Sequence, residues 1–144
     1  NLHRKQLIEP IKALTQPTLG ICLGMQLMTA HSEEGDVECL GLIPAQTKRM
    51  QVGDRPLPHM GWNNVRATNA NPLLDNDTDP YCYFVHSYAF VPRDPVDVLA
   101  TTEHDVRVAA AVGRGHVWGT QFHPEKSSRA GFRLLRNFLA LSSC

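Results

Sequence analysis

The sequence lacks an excess of charge of either sign. Lysine and arginine together number 14, as do aspartate and glutamate, so the formal net charge is zero. Proteins that bind nucleic acid or anionic lipid usually carry a basic surplus, because phosphate groups attract cations. We therefore expect neither nucleic acid nor a membrane as a partner.

Long apolar runs and a leader pattern are missing as well. No stretch approaches the roughly 20 apolar residues that a membrane-spanning helix needs. No charged segment followed by an apolar one opens the chain. The four cysteines are scattered and form no C-x-x-C pair, which is typical of a reduced protein rather than a disulfide framework. These absences predict a cytoplasmic protein.

The spacing of the histidines disfavours a metal site. None of the seven histidines falls in an H-x-x-x-H or H-E-x-x-H pattern. The length of 144 residues fits one domain with one core, residues 1–144. A helical pattern over residues 2–14 leads into a strand, which is the second half of a βαβ unit. Because the first strand of that unit is absent, we expect the chain to begin partway into its domain.

Further elements follow from apolar periodicity. Strands are predicted at residues 18–22, 40–43, 47–50, 81–91, 96–102, 106–112 and 116–122. A short helix is predicted over residues 25–31, and the charged residues 33–36 after it indicate a solvated turn. The last helix, residues 127–141, is amphipathic, and its predicted buried face carries Phe132, Leu135, Phe138 and Leu139.

A cysteine stands where the first of these strands meets the short helix. In residues 18–26 (TLGICLGMQ), glycines lie two positions before and two after Cys22. This is the G-x-nucleophile-x-G elbow, whose sharp turn raises the nucleophile above the sheet. At the start of a helix, the macrodipole favours the thiolate form of Cys22.

A second motif raises Cys22 above an ordinary structural cysteine. In residues 118–127 (WGTQFHPEKS), a strand ends at His123 and Glu125 follows two positions later. The residue before a proline is extended, and positions i and i+2 of an extended segment point the same way. Glu125 can thus hold one nitrogen of the imidazole while the other faces the cysteine, which is the arrangement of a catalytic triad.

Together the two motifs, residues 20–26 and 121–125, resemble the class I (triad) glutamine amidotransferases. Residues 58–63 (PHMGWN) and 83–88 (YFVHSY) narrow the resemblance to the glutaminase subunits of imidazole glycerol phosphate synthases, which act in histidine biosynthesis. The resemblance runs along essentially the whole chain. It implies an α/β fold with an open, mostly parallel sheet flanked by helices and lacking its first βα elements.

The resemblance also implies roles for individual residues. Cys22 attacks the amide carbon of glutamine, His123 moves the proton and Glu125 orients His123. The N–H of Leu23 is one oxyanion donor. Glutamine is held by Gln26 and the segment His86, Ser87 and Tyr88. Trp62, Asn63 and Tyr88 lie near the face that meets a partner.

That partner is the cyclase of the synthase, which is a (β/α)₈ barrel, so the assembly is a heterodimer. Ammonia passes to the cyclase, which combines it with a ribulosyl aminoimidazole carboxamide nucleotide. The products are imidazole glycerol phosphate and an aminoimidazole carboxamide ribonucleotide. The resemblance implies no metal and no organic cofactor.

The sequence departs from the family in one respect. Members carry a Pro-Gly-Val-Gly stretch whose backbone completes the oxyanion hole, and this chain has none. Loss of one oxyanion donor costs roughly 100- to 1000-fold in turnover. We expect the 144-residue chain by itself to be weakly active or inactive. Equal glutaminase rates for this chain and a version extended at its amino terminus would contradict that expectation.

Several alternatives stay open on the sequence alone. Trp62 is either packed over a turn or a partner-facing anchor, and His86 either bonds a neighbour or serves the site. A stand-alone γ-glutamyl hydrolase or peptidase would use the same triad without a partner. A non-catalytic interaction protein would keep the fold without the chemistry.

Overall fold

The structure is a computed structural model, and it describes residues 6–68, 70–74 and 80–141. The described residues contain three α-helices, α1 (Ile8–Lys12), α2 (Leu23–Leu27) and α3 (Ser128–Leu141). Their strands are β1 (Thr18–Ile21), β2 (His31–Ser32), β3 (Val37–Glu38), β4 (Ala45–Arg49), β5 (His59–Asn64), β6 (Arg66–Ala67), β7 (Tyr81–His86), β8 (Tyr88–Pro92), β9 (Val98–His104), β10 (Val106–Arg114) and β11 (Val117–Thr120). Two 3₁₀ turns, Pro95–Asp97 and Pro124–Lys126, complete the set.

The strand before the elbow lies in a five-stranded sheet of order β1-β11-β10-β9-β6. β1 runs parallel to β11, with Thr18 opposite Val117 and Ile21 opposite Thr120. The carboxyl ends of both strands therefore point to the same edge of the sheet. Cys22 follows β1 and the segment that leads to His123 follows β11, so the topology brings the two predicted catalytic residues to one edge.

The predicted mostly parallel pairing is wrong for the described residues, although the α/β class is confirmed. A second sheet has the order β3-β2-β4-β8, and β5 pairs with β7 in a separate ribbon. Among all described pairings, only β1 with β11 and β2 with β4 are parallel. The reason is the length of the connections. A single residue, Asp105, joins β9 to β10, and so short a link joins only antiparallel strands.

Several predicted elements change their extent. Residues 40–43 form no strand, because their amide groups bond to the end of α2 and the residues after it. The segment around Trp62, for which a turn is one of the two alternatives left open, is strand β5. Residues 81–91 are two strands, β7 and β8, which meet at Ser87 and belong to different sheets.

The buried face of α3 is also different from the predicted one. Phe132 and Leu139 are both 66% exposed. Gly131 and Leu134 are buried instead, and Phe138 packs against the core from the same side. Phe138 is therefore confirmed and Leu135 is half-buried, whereas Phe132 and Leu139 lie on the exposed side of the helix. The predicted helical period is right, and the buried face is rotated from the predicted one.

Two apolar clusters hold these elements together. One gathers side chains from β7, β9, β10 and α3 around Phe84 and Phe122, both fully buried. The other packs Met25 and Met28, from α2 and the residue after it, against Ile43 and Phe90. Apolar packing around α2 thus holds the helix side of the elbow in place.

Over the part of the chain that the structure describes, no helix is long and apolar enough to cross a membrane. Nor does that part hold three or more His, Cys, Asp or Glu side chains placed to bind a metal ion. Cys22, Cys39 and Cys82 are free thiols. Cys144 lies outside the described residues.

Candidate active site

Cys22 occupies a strained turn between β1 and α2. Its φ of 54° and ψ of −105° lie outside the regions that side chains prefer, as expected for a nucleophile elbow. Its N–H donates to the carbonyl of Thr120 at 2.7 Å, which ties the elbow to the end of β11. The Cys22 thiol donates to the carbonyl of Val85 at 3.8 Å.

The two glycines of the elbow do different things. A Cβ on Gly20 would lie 2.7 Å from the backbone carbon and oxygen of Gly24. Around Gly24 a Cβ would meet nothing within 4 Å. The close approach predicted for the elbow therefore requires glycine at position 20 only.

Burial raises the pKa of the Cys22 thiol above its usual value. Hydrogen bonds from the backbone of Leu23 and the side chain of Gln121 oppose this effect, and the charge of Glu125 adds to it. The predicted preference for thiolate is therefore reversed in this structure. α2 has only five residues, so its dipole is too small to outweigh the loss of water around the sulfur.

His123 and Glu125 form the pair that the sequence predicts. Nδ1 of His123 lies 2.9 Å from Oε2 of Glu125. The carboxylate accepts, so Nδ1 carries the proton and Nε2 is left as the basic nitrogen. Burial raises the pKa of the Glu125 carboxyl, but the hydrogen bond and charge of His123 outweigh this and leave that pKa below its usual value.

The backbone around His123 is fixed from three sides. Its N–H donates to the carbonyl of Tyr83, and the hydroxyl of Ser127 donates to its carbonyl at 2.6 Å. α3 presses directly on the turn that carries Glu125, because a Cβ on Gly131 would overlap the carbonyl oxygen of Pro124. Among the described residues, no hydrogen bond joins Cys22 to His123. Catalytic hydrogen bonds are often long before substrate binds.

A cleft of about 360 Å³ opens beside Cys22. Every residue predicted to hold glutamine lines it: Leu23, Gln26, His86, Ser87 and Tyr88. The structure thus brings the predicted substrate residues and the nucleophile together. Their roles in binding stay predictions.

The segment His86–Tyr88 lies where the chain leaves the β5–β7 ribbon for the second sheet. The Tyr88 carbonyl accepts from Gln26 Nε2 at 3.1 Å and from His86 Nδ1 at 2.9 Å. The Ser87 carbonyl accepts from the N–H of Met50. The carbonyls of Ser87 and Tyr88 are therefore held beside the cleft, at the point where the ladder of β5 with β7 and the ladder of β4 with β8 end.

Sequence reasoning misses three residues of the site. Glu34 and Arg49 line the cleft and carry opposite charges, and Arg49 lies over the Tyr88 ring at 5.9 Å. Glu34 belongs to the segment whose sequence indicates a solvated turn. Gln121 is fully buried and donates from Nε2 to the Cys22 sulfur at 3.7 Å. A polar amide two positions before His123, at the end of an apolar strand, is the available signal for it.

The predicted partner-facing residues separate on the β5–β7 ribbon. Trp62 is 52% exposed and meets the edge of the Tyr83 ring. Asn63 turns its amide inward, donating to the Glu103 carbonyl at 2.7 Å and to His59 at 3.1 Å. Tyr88 is half-buried beneath Arg49 and lies at the cleft.

Solved structures share this fold at low sequence identity. One is a glutamine amidotransferase, with a TM-score of 0.69 and 19% identity, covering 99% of this chain and 69% of that one. Another is a glutamine amidotransferase of Thermotoga maritima, with a TM-score of 0.62 and 24% identity. The match covers 96% of this chain but spans only 53% of that protein. These likenesses confirm the class I amidotransferase-like fold.

Sequence relatives are much closer. The family described as "Glutamine amidotransferase class-I" matches residues 2–141. The imidazole glycerol phosphate synthase subunit HisH of Idiomarina loihiensis is 54% identical over 144 residues, covering all of this chain and 72% of that protein. The HisH subunit of Vibrio cholerae is 46% identical, covering 98% of this chain and 72% of that protein. The chain therefore belongs to the class-I glutamine amidotransferase family and, within it, to the HisH subunits of imidazole glycerol phosphate synthase.

Proposed function

We propose that this protein hydrolyses glutamine to glutamate and ammonia through a thioester on Cys22. It supplies the ammonia to a cyclase subunit in histidine biosynthesis. One observation carries the proposal. The strained elbow of Cys22 lines a cleft together with the predicted substrate residues, and the hydrogen-bonded pair of His123 and Glu125 follows the strand that runs parallel to β1 and beside it.

The chemistry begins from a protonated thiol, since burial raises the pKa of Cys22. As sulfur attacks the side-chain amide carbon of glutamine, Nε2 of His123 takes the thiol proton. The imidazolium is stabilised by Glu125 on its other nitrogen. The tetrahedral intermediate then collapses. Its C–N bond breaks, the proton passes from His123 to the leaving nitrogen, and ammonia departs.

The thioester is released by the same groups in reverse order. His123 Nε2 takes a proton from water as the oxygen attacks the thioester carbon. The C–S bond breaks, the thiol of Cys22 is reprotonated and glutamate leaves. In both steps the carbonyl oxygen gains negative charge, and we assign the N–H of Leu23, which is directed at the Cys22 sulfur, as an oxyanion donor.

The cleft suits the charges of a free amino acid. Glutamine carries an α-ammonium and an α-carboxylate, and the cleft offers the Glu34 carboxylate and the Arg49 guanidinium. Guanidinium groups match carboxylates in a two-pronged geometry, while a carboxylate pairs with ammonium as a point charge. Gln26 and the main chain of residues 86–88 add neutral hydrogen bonds. We assign glutamine recognition to these groups.

The outer face of the β5–β7 ribbon is the proposed contact with the cyclase. Met60, Trp62 and Tyr81 are each more than half exposed and share this face, since their positions alternate along paired strands. Exposed large apolar groups, with tryptophan and tyrosine among them, are typical of interaction surfaces. We propose a heterodimer with a (β/α)₈-barrel cyclase in the cytoplasm, with ammonia passing between the two proteins.

The decisive experiment measures glutamine hydrolysis with and without the cyclase and its nucleotide ligand. We expect a rise in glutamate formation that depends on the partner. A high rate that ignores the partner favours a stand-alone γ-glutamyl hydrolase. A glutamine-mimicking chloroketone tests the nucleophile directly. Labelling of Cys22 supports the mechanism, and absence of labelling in the presence of the cyclase favours a non-catalytic role.

A further inference from the structure

A cluster of buried histidines lies under the inner face of the β5–β7 ribbon. His59, His86 and His104 are 4%, 6% and 6% exposed. The His59 ring is stacked between Phe84, with centroids 4.7 Å apart, and His104, with centroids 4.3 Å apart. His59 has no place in the chemistry proposed above.

The hydrogen bonds of this cluster fix where each proton sits. The Tyr88 carbonyl can only accept, so His86 donates from Nδ1 at 2.9 Å. A neutral His86 must then accept at Nε2, and its partner there is Nδ1 of His59 at 2.9 Å. His59 therefore donates from Nδ1 and accepts at Nε2, where the Asn63 amide donates at 3.1 Å. Each polar atom along this path has one consistent assignment.

The same path continues to the nucleophile. Gln26 Nε2 donates to the Tyr88 carbonyl at 3.1 Å and to the side-chain oxygen of Gln121 at 3.3 Å. Gln121 in turn donates from its own Nε2 to the Cys22 sulfur. One continuous series of hydrogen bonds, called the relay below, therefore runs from the Asn63 amide to the Cys22 sulfur. Its members are His59, His86, Tyr88, Gln26 and Gln121.

The surroundings keep this relay uncharged. Burial, together with the charges of His86, His104 and Arg55, lowers the pKa of His59 to about 3. Burial also lowers the pKa of His86 to about 4, against the opposing effect of its hydrogen bond to Tyr88. Neutral rings at both positions are what the donor assignment requires.

We propose that His59 is a positioning residue of the glutaminase site. By donating to Nε2 of His86 it fixes the ring that donates to the Tyr88 carbonyl, and so holds the main chain of residues 86–88 where glutamine binds. Within this segment only Ser87 lies outside the strand ladders, since His86 ends β7 opposite His59 and Tyr88 begins β8 opposite Arg49. The inference rests on the proposed function of the cleft and adds to it a residue that touches neither substrate nor Cys22.

The donor assignment is tested without any activity. Nitrogen-15 NMR of histidine-labelled protein distinguishes the two neutral ring forms. We expect His59 and His86 as the Nδ1–H form. His104 is the internal control, because it donates from Nε2 to the Pro56 carbonyl at 2.9 Å. An Nε2–H form at His59 or His86 overturns the relay. This result is independent of whether the protein hydrolyses glutamine.

Three variants test the positioning role in complex with the cyclase. His59→Phe keeps the stacking and removes both hydrogen bonds. We expect KM for glutamine to rise about 3- to 10-fold, the equivalent of one neutral hydrogen bond, with a smaller change in kcat. His59→Gln, which has a donor and an acceptor, should restore KM to near the wild-type value. His104→Phe, a buried stacked histidine outside the relay, should leave KM unchanged.

The outcomes separate the two proposals. A wild-type complex that hydrolyses no glutamine even in the version extended at its amino terminus contradicts the proposed function, and the NMR result still decides the relay. An active wild type with unchanged KM in His59→Phe overturns the positioning role. If His59→Phe does not fold, His59→Gln remains. A KM near the wild-type value in His59→Gln, together with Nδ1–H rings at His59 and His86 in the wild-type protein, supports the positioning role. A roughly 3- to 10-fold rise of KM in His59→Gln, whose amide can still donate to His86, contradicts it.

Discussion

Activation of the Cys22 thiol depends mainly on His123, the base that removes its proton. Many reactive cysteines are thiolates at rest, because a neighbouring positive charge lowers their pKa. Here burial dominates and raises the pKa of the Cys22 thiol, while the charge of Glu125 works in the same direction. The proton must therefore leave during the attack, and the site depends on a correctly oriented base more than on a preformed nucleophile.

The first prediction concerns Glu125. Glu125→Gln removes the charge that stabilises the imidazolium and frees His123 to adopt the other ring form. Since the Glu125 side chain is half exposed, we expect a fall in kcat of about 10- to 100-fold, less than for a fully buried triad carboxylate. Steady-state glutamine hydrolysis in the cyclase complex measures it. Glu38→Gln, at an exposed carboxylate on β3, is the control. An unchanged kcat in Glu125→Gln would remove Glu125 from the triad.

The second prediction concerns the charged pair of the cleft. Glu34→Gln and Arg49→Gln each remove one group proposed to meet the charged end of glutamine. We expect KM for glutamine to rise about 10-fold in each variant, with kcat nearly unchanged, because the lost contact is equal in ground and transition states. Steady-state kinetics measure both constants. Glu38→Gln, at an exposed carboxylate that does not line the cleft, is the control, and a fall in kcat alone would contradict the assignment.

For single residues, the sequence predicts which side chains react better than it predicts how buried those side chains are. The reactive side chains Cys22, His123 and Glu125 stand in recognisable spacings. The raised pKa of the Cys22 thiol depends on how much water the folded chain removes from around the sulfur, and the spacing of neighbouring residues in the sequence does not encode that amount. Glu34 escapes sequence reasoning for the same kind of reason. Its own segment has the composition of a solvated turn, and only the packing of distant strands turns it toward the cleft.

The elbow shows how an element depends on one close approach. β1 and α2 meet so tightly that a Cβ on Gly20 would clash with the backbone of Gly24. A methyl group there must displace main chain, whereas the space beside Gly24 is open. Overpacking of this kind costs about 1–3 kcal/mol.

The third prediction follows from this asymmetry. Gly20→Ala should lower the free energy of unfolding by about 1–3 kcal/mol, whereas Gly24→Ala should leave it unchanged or raise it by up to about 1 kcal/mol, because alanine favours helix. Urea denaturation of the two variants, measured side by side, compares them. Equal destabilisation would show that the elbow needs glycine at both positions.

Element boundaries are predictable where the chain is locally consistent. β1, β4 and α3 lie close to their predicted positions, since each shows a clear apolar period. Parallel pairing is overestimated, because the direction of β9, β10 and β11 depends on connections of one or two residues. The division of residues 81–91 at Ser87 is not visible in the sequence either, since it arises from the partners of each half and not from the residues between them.

The site exists only at the level of the whole molecule. The first sheet contributes the ends of β1 and β11, and the ribbon and the second sheet meet at Ser87 beside them. Buried polar groups link these parts where apolar side chains pack elsewhere. A fully bonded buried network favours one arrangement, whereas any unpaired member is costly. We infer that the histidine cluster contributes to the specificity of the fold, and that it does so only while the rings of His59 and His86 are neutral.

The last prediction is that this neutrality makes stability sensitive to mild acid. His59 and His86 have folded pKa values of about 3 and about 4, below the 6.5 of an unconstrained histidine. Their folded pKa is depressed, so stability is complete above about pH 6.5, and the unfolded chain takes up extra protons below it. The free energy of unfolding should therefore fall by up to about 1.4 kcal/mol per pH unit for each histidine as the pH drops from 6.5 to 5. Asp105 and Glu125 have lowered pKa values and lose their contribution mostly at lower pH, so this window isolates the histidines.

Urea denaturation across the window should show a smaller slope of the unfolding free energy against pH in His59→Gln than in wild type. It should show the wild-type slope in His116→Gln, at an exposed histidine. Equal slopes in wild type and His59→Gln would mean that His59 does not remain neutral in the folded protein.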